Sequence, residues 1–122
     1  MKVKIYHNSR CSKSRQTLEI LKNKNCDIEI VEYLKVPMSL GELKDILSKL
    51  NYEPRDLIRK GEDTYKKESL GNESLTNDIL MEKMIINPIL IERPIVVFND
   101  KAVVGRPPET VSYTHLTLPT KA

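Results

Sequence analysis

Cysteine and histidine are scarce here, with two of each in 122 residues. Two cysteines, Cys11 and Cys26, cannot build a disulfide framework, so burial of a core must hold the fold. With His7 the only histidine before residue 115, there is no convincing metal-ligand cluster, and no bound metal is expected. Long apolar runs are missing too. The chain opens "MKVKIY" without an apolar leader, and its most apolar stretch, "MIINPILI", is broken by Asn87 and Pro88. A soluble, cytoplasmic protein with no membrane contact is the expectation. No sign of charge dominates: 20 Lys and Arg against 17 Asp and Glu give +3, dispersed along the chain. That is a solvated surface, so no direct contact with nucleic acid is expected. No internal repeat is visible. What remains is one globular domain whose cysteine chemistry would be thiol chemistry in a reducing compartment.

Residues 2–6, "KVKIY", alternate polar and apolar side chains before the turn-prone "HNS", which predicts a half-buried strand ending near His7. Residues 12–23 are good helix formers with neither Gly nor Pro among them, so Cys11 is predicted at a helix N-terminus. "DIEIVEYL", 27–34, reads as a second strand, parallel to the first because a helix separates them. "SLGELKDILSKL" opens with the capping pattern Ser39-x-x-Glu42 and continues with apolar residues at helical spacing, predicting a helix over about 40–50. A shorter helix from Pro54 to Gly61 and another from Thr76 to just before Pro88 complete a helical insert at about 39–87. "PIVVFNDKAVVG" predicts a hairpin around Asn99-Asp100. Residues 112–122 carry no helical period and, with Val111, resemble an in-frame translation of a sequencing adapter. They are set aside as a non-native tail, leaving 1–111 as the domain.

A thiol attacks only as its thiolate, and a helix N-terminus offers unpaired N–H groups and the positive end of a dipole to stabilise that charge. Cys11 is predicted to have this placement, with His7, Arg10, Lys13 and Arg15 able to add positive potential. The same N–H groups can cradle an oxyanion. The spacing Cys11-Ser12-Lys13-Ser14 is C-x-x-S, so a second cysteine that could resolve an adduct at that position is absent, and the electrons must come from another thiol. Cys26 reads as a structural cysteine. His7 either tunes Cys11 or merely closes the turn. Among the remaining arginines, Arg93 precedes Pro94 at the hairpin start, Arg106 precedes Pro107 after it, and Arg59 is predicted on the short helix before Gly61. Arg55 reads as surface.

On these residues the chain, over about 2–111, resembles the glutaredoxin-dependent arsenate reductases, the thioredoxin-like family that also contains the Spx-type regulators. "YHN-x-x-C-x-x-S-R" matches at Tyr6, His7, Asn8, Cys11, Ser14 and Arg15; "LIRKGE" matches at Arg59; "ERPIVV" at Arg93 and Pro94; "GRPPE" at Arg106. The resemblance implies an α/β fold, a thioredoxin-like mixed four-stranded sheet with an inserted helical region. It implies Cys11 as nucleophile with His7 beside it. Arg59, Arg93, Arg106 and Ser14 would bind substrate, while Asn8 and a cis Pro94 would shape the site. The implied reaction is arsenate reduction with glutathione as co-substrate and glutaredoxin as partner, no bound cofactor, and a monomeric protein. Two alternatives stand beside it: an Spx-like regulator that binds RNA polymerase, and a glutathione-dependent thiol-disulfide reductase.

Overall fold

The computed structural model describes residues 2–109; the tail expected at 112–122 lies outside them. The chain divides into two compact units, one being Pro37–Glu92 and the other the residues on either side of it. In the second of these, four strands form a mixed sheet in the order β2-β1-β3-β4, with β1 at Lys2–Tyr6, β2 at Asp27–Val31, β3 at Ile95–Phe98 and β4 at Lys101–Val104. β1 runs parallel to β2 and antiparallel to β3, in register Ile5↔Ile30 and Ile5↔Val96. The parallel step is forced by helix α1, Ser12–Asn23, which carries the chain back across the sheet. Period two in β1 points Val3 and Ile5 to one face, where they form a buried cluster with Leu21 of α1 and Val96 of β3. Burying side chains of this size stabilises by roughly 1.5–3 kcal/mol each. The β3–β4 hairpin turns at Asn99, whose φ of 54° is one that asparagine tolerates well.

β2 stops at Val31, short of the predicted end at 34. The Lys35 and Val36 N–H groups both bond the Glu32 carbonyl, which curls the chain, and Tyr33 is drawn into the interior at 1% exposure.

The unit Pro37–Glu92 is helical and slightly wider than the predicted insert. α2 spans Leu40–Leu50 behind the expected capping box: Ser39 Oγ accepts from Glu42 N–H at 3.1 Å, and Glu42 Oε1 accepts from Ser39 N–H at 3.4 Å. α3 is Pro54–Leu57, α4 is Asp63–Lys67 and α5 is Asn77–Ile86. α5 packs on α2 and α3, with Leu43, Ile46, Leu80 and Met84 buried. α4 was not predicted from the sequence; it buries no residue, so no apolar period marks it.

Two expectations are corrected here. The helix from Pro54 does not reach Gly61: Ile58 is extended and bridges Ile91, fixed by Arg59 N–H to Leu90 O at 2.7 Å and Glu92 N–H to Leu57 O at 2.8 Å. Arg59 therefore follows a strand-like bridge between two buried β-branched residues, a pairing that short-range helix signals miss. Nor is Arg55 a free surface residue, since its guanidinium donates to the Leu70 and Asn72 carbonyls at 2.9 and 2.7 Å and pins that loop.

Candidate active site

Cys11 is the N-cap of α1, with extended backbone (φ −94°, ψ 122°) and no side-chain cap hydrogen bond. Most N-cap side chains spend their polar atom on the first-turn N–H groups. A half-buried sulfur that does not leaves those donors facing whatever approaches Cys11.

The turn leading into Cys11 is built from its own polar groups. His7 N–H still bonds Val31 O at 2.9 Å, extending the β1–β2 pairing. Asn8 then closes the loop twice: its carbonyl accepts from Cys11 N–H at 3.0 Å and its Oδ1 accepts from Arg10 N–H at 3.0 Å. Ser14, wholly buried in the first turn of α1, reaches back to this loop. Its Oγ accepts from Asn8 N–H at 3.1 Å and shares a 2.7 Å hydrogen bond with His7 Nδ1. Arg15 folds over the outside, donating to Ser9 O at 2.9 Å. His7, Asn8 and Ser14 thus form one network that fixes where the Cys11 backbone sits.

His7 is 6% exposed, and burial pushes its pKa below the ordinary value of 6.5; Glu32 opposes the shift, while Arg15 and Lys22 add to it. Burial thus disfavours the charged form of the ring. Of the two readings of His7, the hydrogen bond to Ser14 and the burial favour the one in which it closes the turn.

The arginines that flank the hairpin arrive on the same unit. The Arg93–Pro94 peptide is cis, and so is Arg106–Pro107, which the sequence did not suggest. Gly105 N–H bonds Pro94 O at 2.9 Å. A Cβ at Gly105 would stand 2.6 Å from Thr17 Oγ1 and 2.9 Å from Pro94 Cγ. So α1, the start of β3 and the end of β4 converge where only a glycine fits, and Arg93 and Arg106 are the residues on either side of that junction. Gly105 and Thr17 were missed from the sequence. The glycine was visible inside "GRPPE", but nothing local showed what it must clear. Two nitrogens of Arg93, Nε and Nη1, are buried without a hydrogen-bond partner among the described residues. A guanidinium held this way lacks a counter-charge, and a planar oxyanion edge would supply it.

Arg59 belongs to the Pro37–Glu92 unit. There its Nη1 pairs with Glu62 at 3.2 Å and its Nε with Glu92 at 3.3 Å.

Cys26 follows the far end of the same helix that Cys11 caps. The 12 residues of α1 separate the two ends by about 18 Å, whereas a disulfide needs Cα atoms within roughly 7 Å. Cys26 packs against the core cluster, and burial pushes its thiol pKa up. Among the described residues no group of His, Cys, Asp and Glu is placed to hold a metal, and no helix is long and apolar enough to cross a membrane.

The mixed four-stranded sheet with its helices is a thioredoxin-like α/β domain, in which Cys11 stands at the N-cap of the first helix and Arg93, with two buried unpaired nitrogens, precedes β3. Residues 6–114 match the model of the ArsC family, and the chain belongs to that family. It is 50% identical to the uncharacterized protein YfgD of Escherichia coli K12 over 110 residues, 89% of this chain and 92% of that one. It is 46% identical to the arsenate reductase of Neisseria meningitidis serogroup A over 110 residues, 89% and 94% of the two chains. Among solved structures, the arsenate reductase from Vibrio cholerae superposes with a TM-score of 0.90 at 45% identity, covering 92% of this chain and 96% of that one.

Proposed function

We propose that this protein reduces arsenate to arsenite through the Cys11 thiolate, with glutathione and glutaredoxin supplying the electrons. The observation that carries the reading is Arg93, whose buried Nε and Nη1 lack partners. Leaving two buried guanidinium donors unpaired is costly, and a tetrahedral oxyanion would meet the charge and the open donors. Support also comes from the names of relatives at 46% and 45% identity.

In the proposed reaction the Cys11 sulfur attacks arsenic(V). A sulfur–arsenic bond forms, an arsenic–oxygen bond breaks, and the departing hydroxide leaves as water after protonation. First-turn N–H groups of α1 together with Arg93 and Arg106 balance the oxyanion charge. The network of His7, Asn8 and Ser14 holds the nucleophile's backbone in place. Two thiols then deliver two electrons: arsenic acid and two glutathiones give arsenous acid, one glutathione disulfide and water. An external thiol is needed on this reading because Ser14 occupies the C-x-x-S position and Cys26 follows the other end of α1. The test is arsenite formation from arsenate in the presence of glutathione, glutaredoxin and a regenerating system. Arsenite produced only with all components supports the reading; its absence, with reduction of a glutathione mixed disulfide instead, replaces it with a general thiol-disulfide reductase.

A further inference from the structure

A cavity of about 240 Å³ opens beside the Cys11 turn, between residues 7–10 and Glu32, Leu34 and Lys35 after β2. It belongs entirely to the sheet-containing unit, and neither Arg93 nor Arg106 lines it. Its lining mixes signs. The Arg10 side chain makes no hydrogen bond or ion pair among the described residues and is exposed next to the nucleophile. Lys35 and Glu32 sit 3.5 Å apart with 75% and 43% of their side chains exposed, an ion pair too wet to resist a competing ligand. Leu34, 41% exposed, supplies an apolar wall. The Asn8 amide, whose oxygen is taken by Arg10 N–H, keeps its NH2 for a ligand.

A small oxyanion does not fit this description, because Glu32 would repel it and Leu34 offers it nothing. A peptide with two carboxylates, one ammonium and a short uncharged body does fit. We infer that this cavity is the subsite for the reducing thiol, binding glutathione with its carboxylates toward Arg10 and Lys35, its ammonium toward Glu32 and its body over Leu34. Resting on the proposed function for the identity of the thiol, the assignment holds the incoming thiol against the turn that leads into Cys11, in a lining without Arg93 or Arg106: one set of residues for the anion, another for the zwitterion. Selectivity for the electron donor then resides in Arg10, Glu32 and Lys35, none of which the sequence motifs include.

The experiment needs no arsenate. Oxidised glutathione is allowed to react with Cys11, the cysteine sulfur bonding one glutathione sulfur as the other departs as thiolate, and the rate of mixed-disulfide formation is followed by mass spectrometry. Two controls are the uncharged 2-hydroxyethyl disulfide and the disulfide of 3-mercaptopropionate, which has the carboxylates but no ammonium. The readout is the ratio of each charged rate to the uncharged rate in the same variant, which cancels changes in thiol reactivity. Lys35→Glu is expected to lower the glutathione ratio by roughly fivefold, and Arg10→Gln by a similar factor. Glu32→Gln is expected to lower the glutathione ratio while raising that of the ammonium-free disulfide. If Glu32→Gln raises both ratios, the effect is bulk charge steering and the subsite is overturned; ratios unmoved by all three substitutions overturn it as well. A protein that shows the expected ratios yet does not reduce arsenate keeps the subsite and loses the proposed substrate.

Discussion

Cys11 and Cys26 are the same residue type at opposite ends of one helix, and the fold treats them in opposite ways. Cys11 caps the N-terminus of α1, where the dipole and the first-turn N–H groups favour a negative charge, and its sulfur is not spent on capping. Cys26 follows the C-terminal end, where that field is reversed, and packs against the cluster of Val3, Ile5, Leu21 and Val96 so that burial disfavours its thiolate. On the proposed function, which end of the helix a sulfur meets and what surrounds it decide which cysteine reacts.

Removing each sulfur in turn gives the largest expected effect. Cys11→Ser should abolish arsenate reduction, and Cys26→Ser should leave it near the wild-type rate. A chain in which Cys26→Ser is the inactive one breaks the comparison outright.

Next comes the anion that the proposed function puts at the Cys11 end. Arg93→Ala should lower kcat/KM for arsenate by about tenfold to a hundredfold, the loss of charge-assisted hydrogen bonds worth roughly 1.5–3 kcal/mol. Arg93→Lys should recover part of this, because it restores charge without the planar fork. Full recovery by lysine would mean that charge alone matters.

The junction that carries Arg93 and Arg106 against α1 can be strained without touching either. Gly105→Ala puts a methyl 2.6 Å from Thr17 Oγ1 and 2.9 Å from Pro94 Cγ, and should cost about 1–3 kcal/mol of stability, read as a fall in denaturation midpoint. The double variant Gly105→Ala with Thr17→Ser should recover little, because Oγ1, the nearest atom, stays. Thr17→Ala beside it should recover more.

The smallest effect is a pH slope. His7 titrates below its ordinary value of 6.5 in the folded chain because it is buried, so the unfolded chain binds the extra proton first. Stability should therefore fall as pH drops below about 6.5, and the loss should grow until the folded ring also protonates. Above pH 7 the term is absent. In His7→Gln the slope just below about pH 6.5 should flatten, a difference measured by denaturant titration at each pH. An unchanged slope would mean that the ring is not held neutral.

The strand, helix, strand and hairpin that surround Cys11 were legible because each is a local pattern: alternation in "KVKIY", uninterrupted helix formers over 12–23, and a left-handed-tolerant Asn99 between apolar runs. Capping chemistry made α2 equally plain. The bridge of Ile58 to Ile91 was not legible, since its hydrogen bonds join residues more than thirty positions apart and no short window contains both. The same holds within the candidate site. Cys11 stood out from its place in the sequence, whereas Thr17 and Gly105 matter only through an approach that the sheet topology creates. The lowered pKa of His7 was hidden for a related reason: charge state follows burial, and burial at a strand end depends on what folds over it.

The account rests on the claim that the two ends of α1 do not meet during turnover, and the trapped intermediate tests it most directly. The protein is mixed with arsenate and glutathione, without glutaredoxin, quenched in acid, then alkylated in denaturant at neutral pH and mapped by mass spectrometry. The account expects glutathione or an arsenic adduct on Cys11 and a freely alkylated Cys26. A Cys11–Cys26 disulfide in the quenched protein would contradict it.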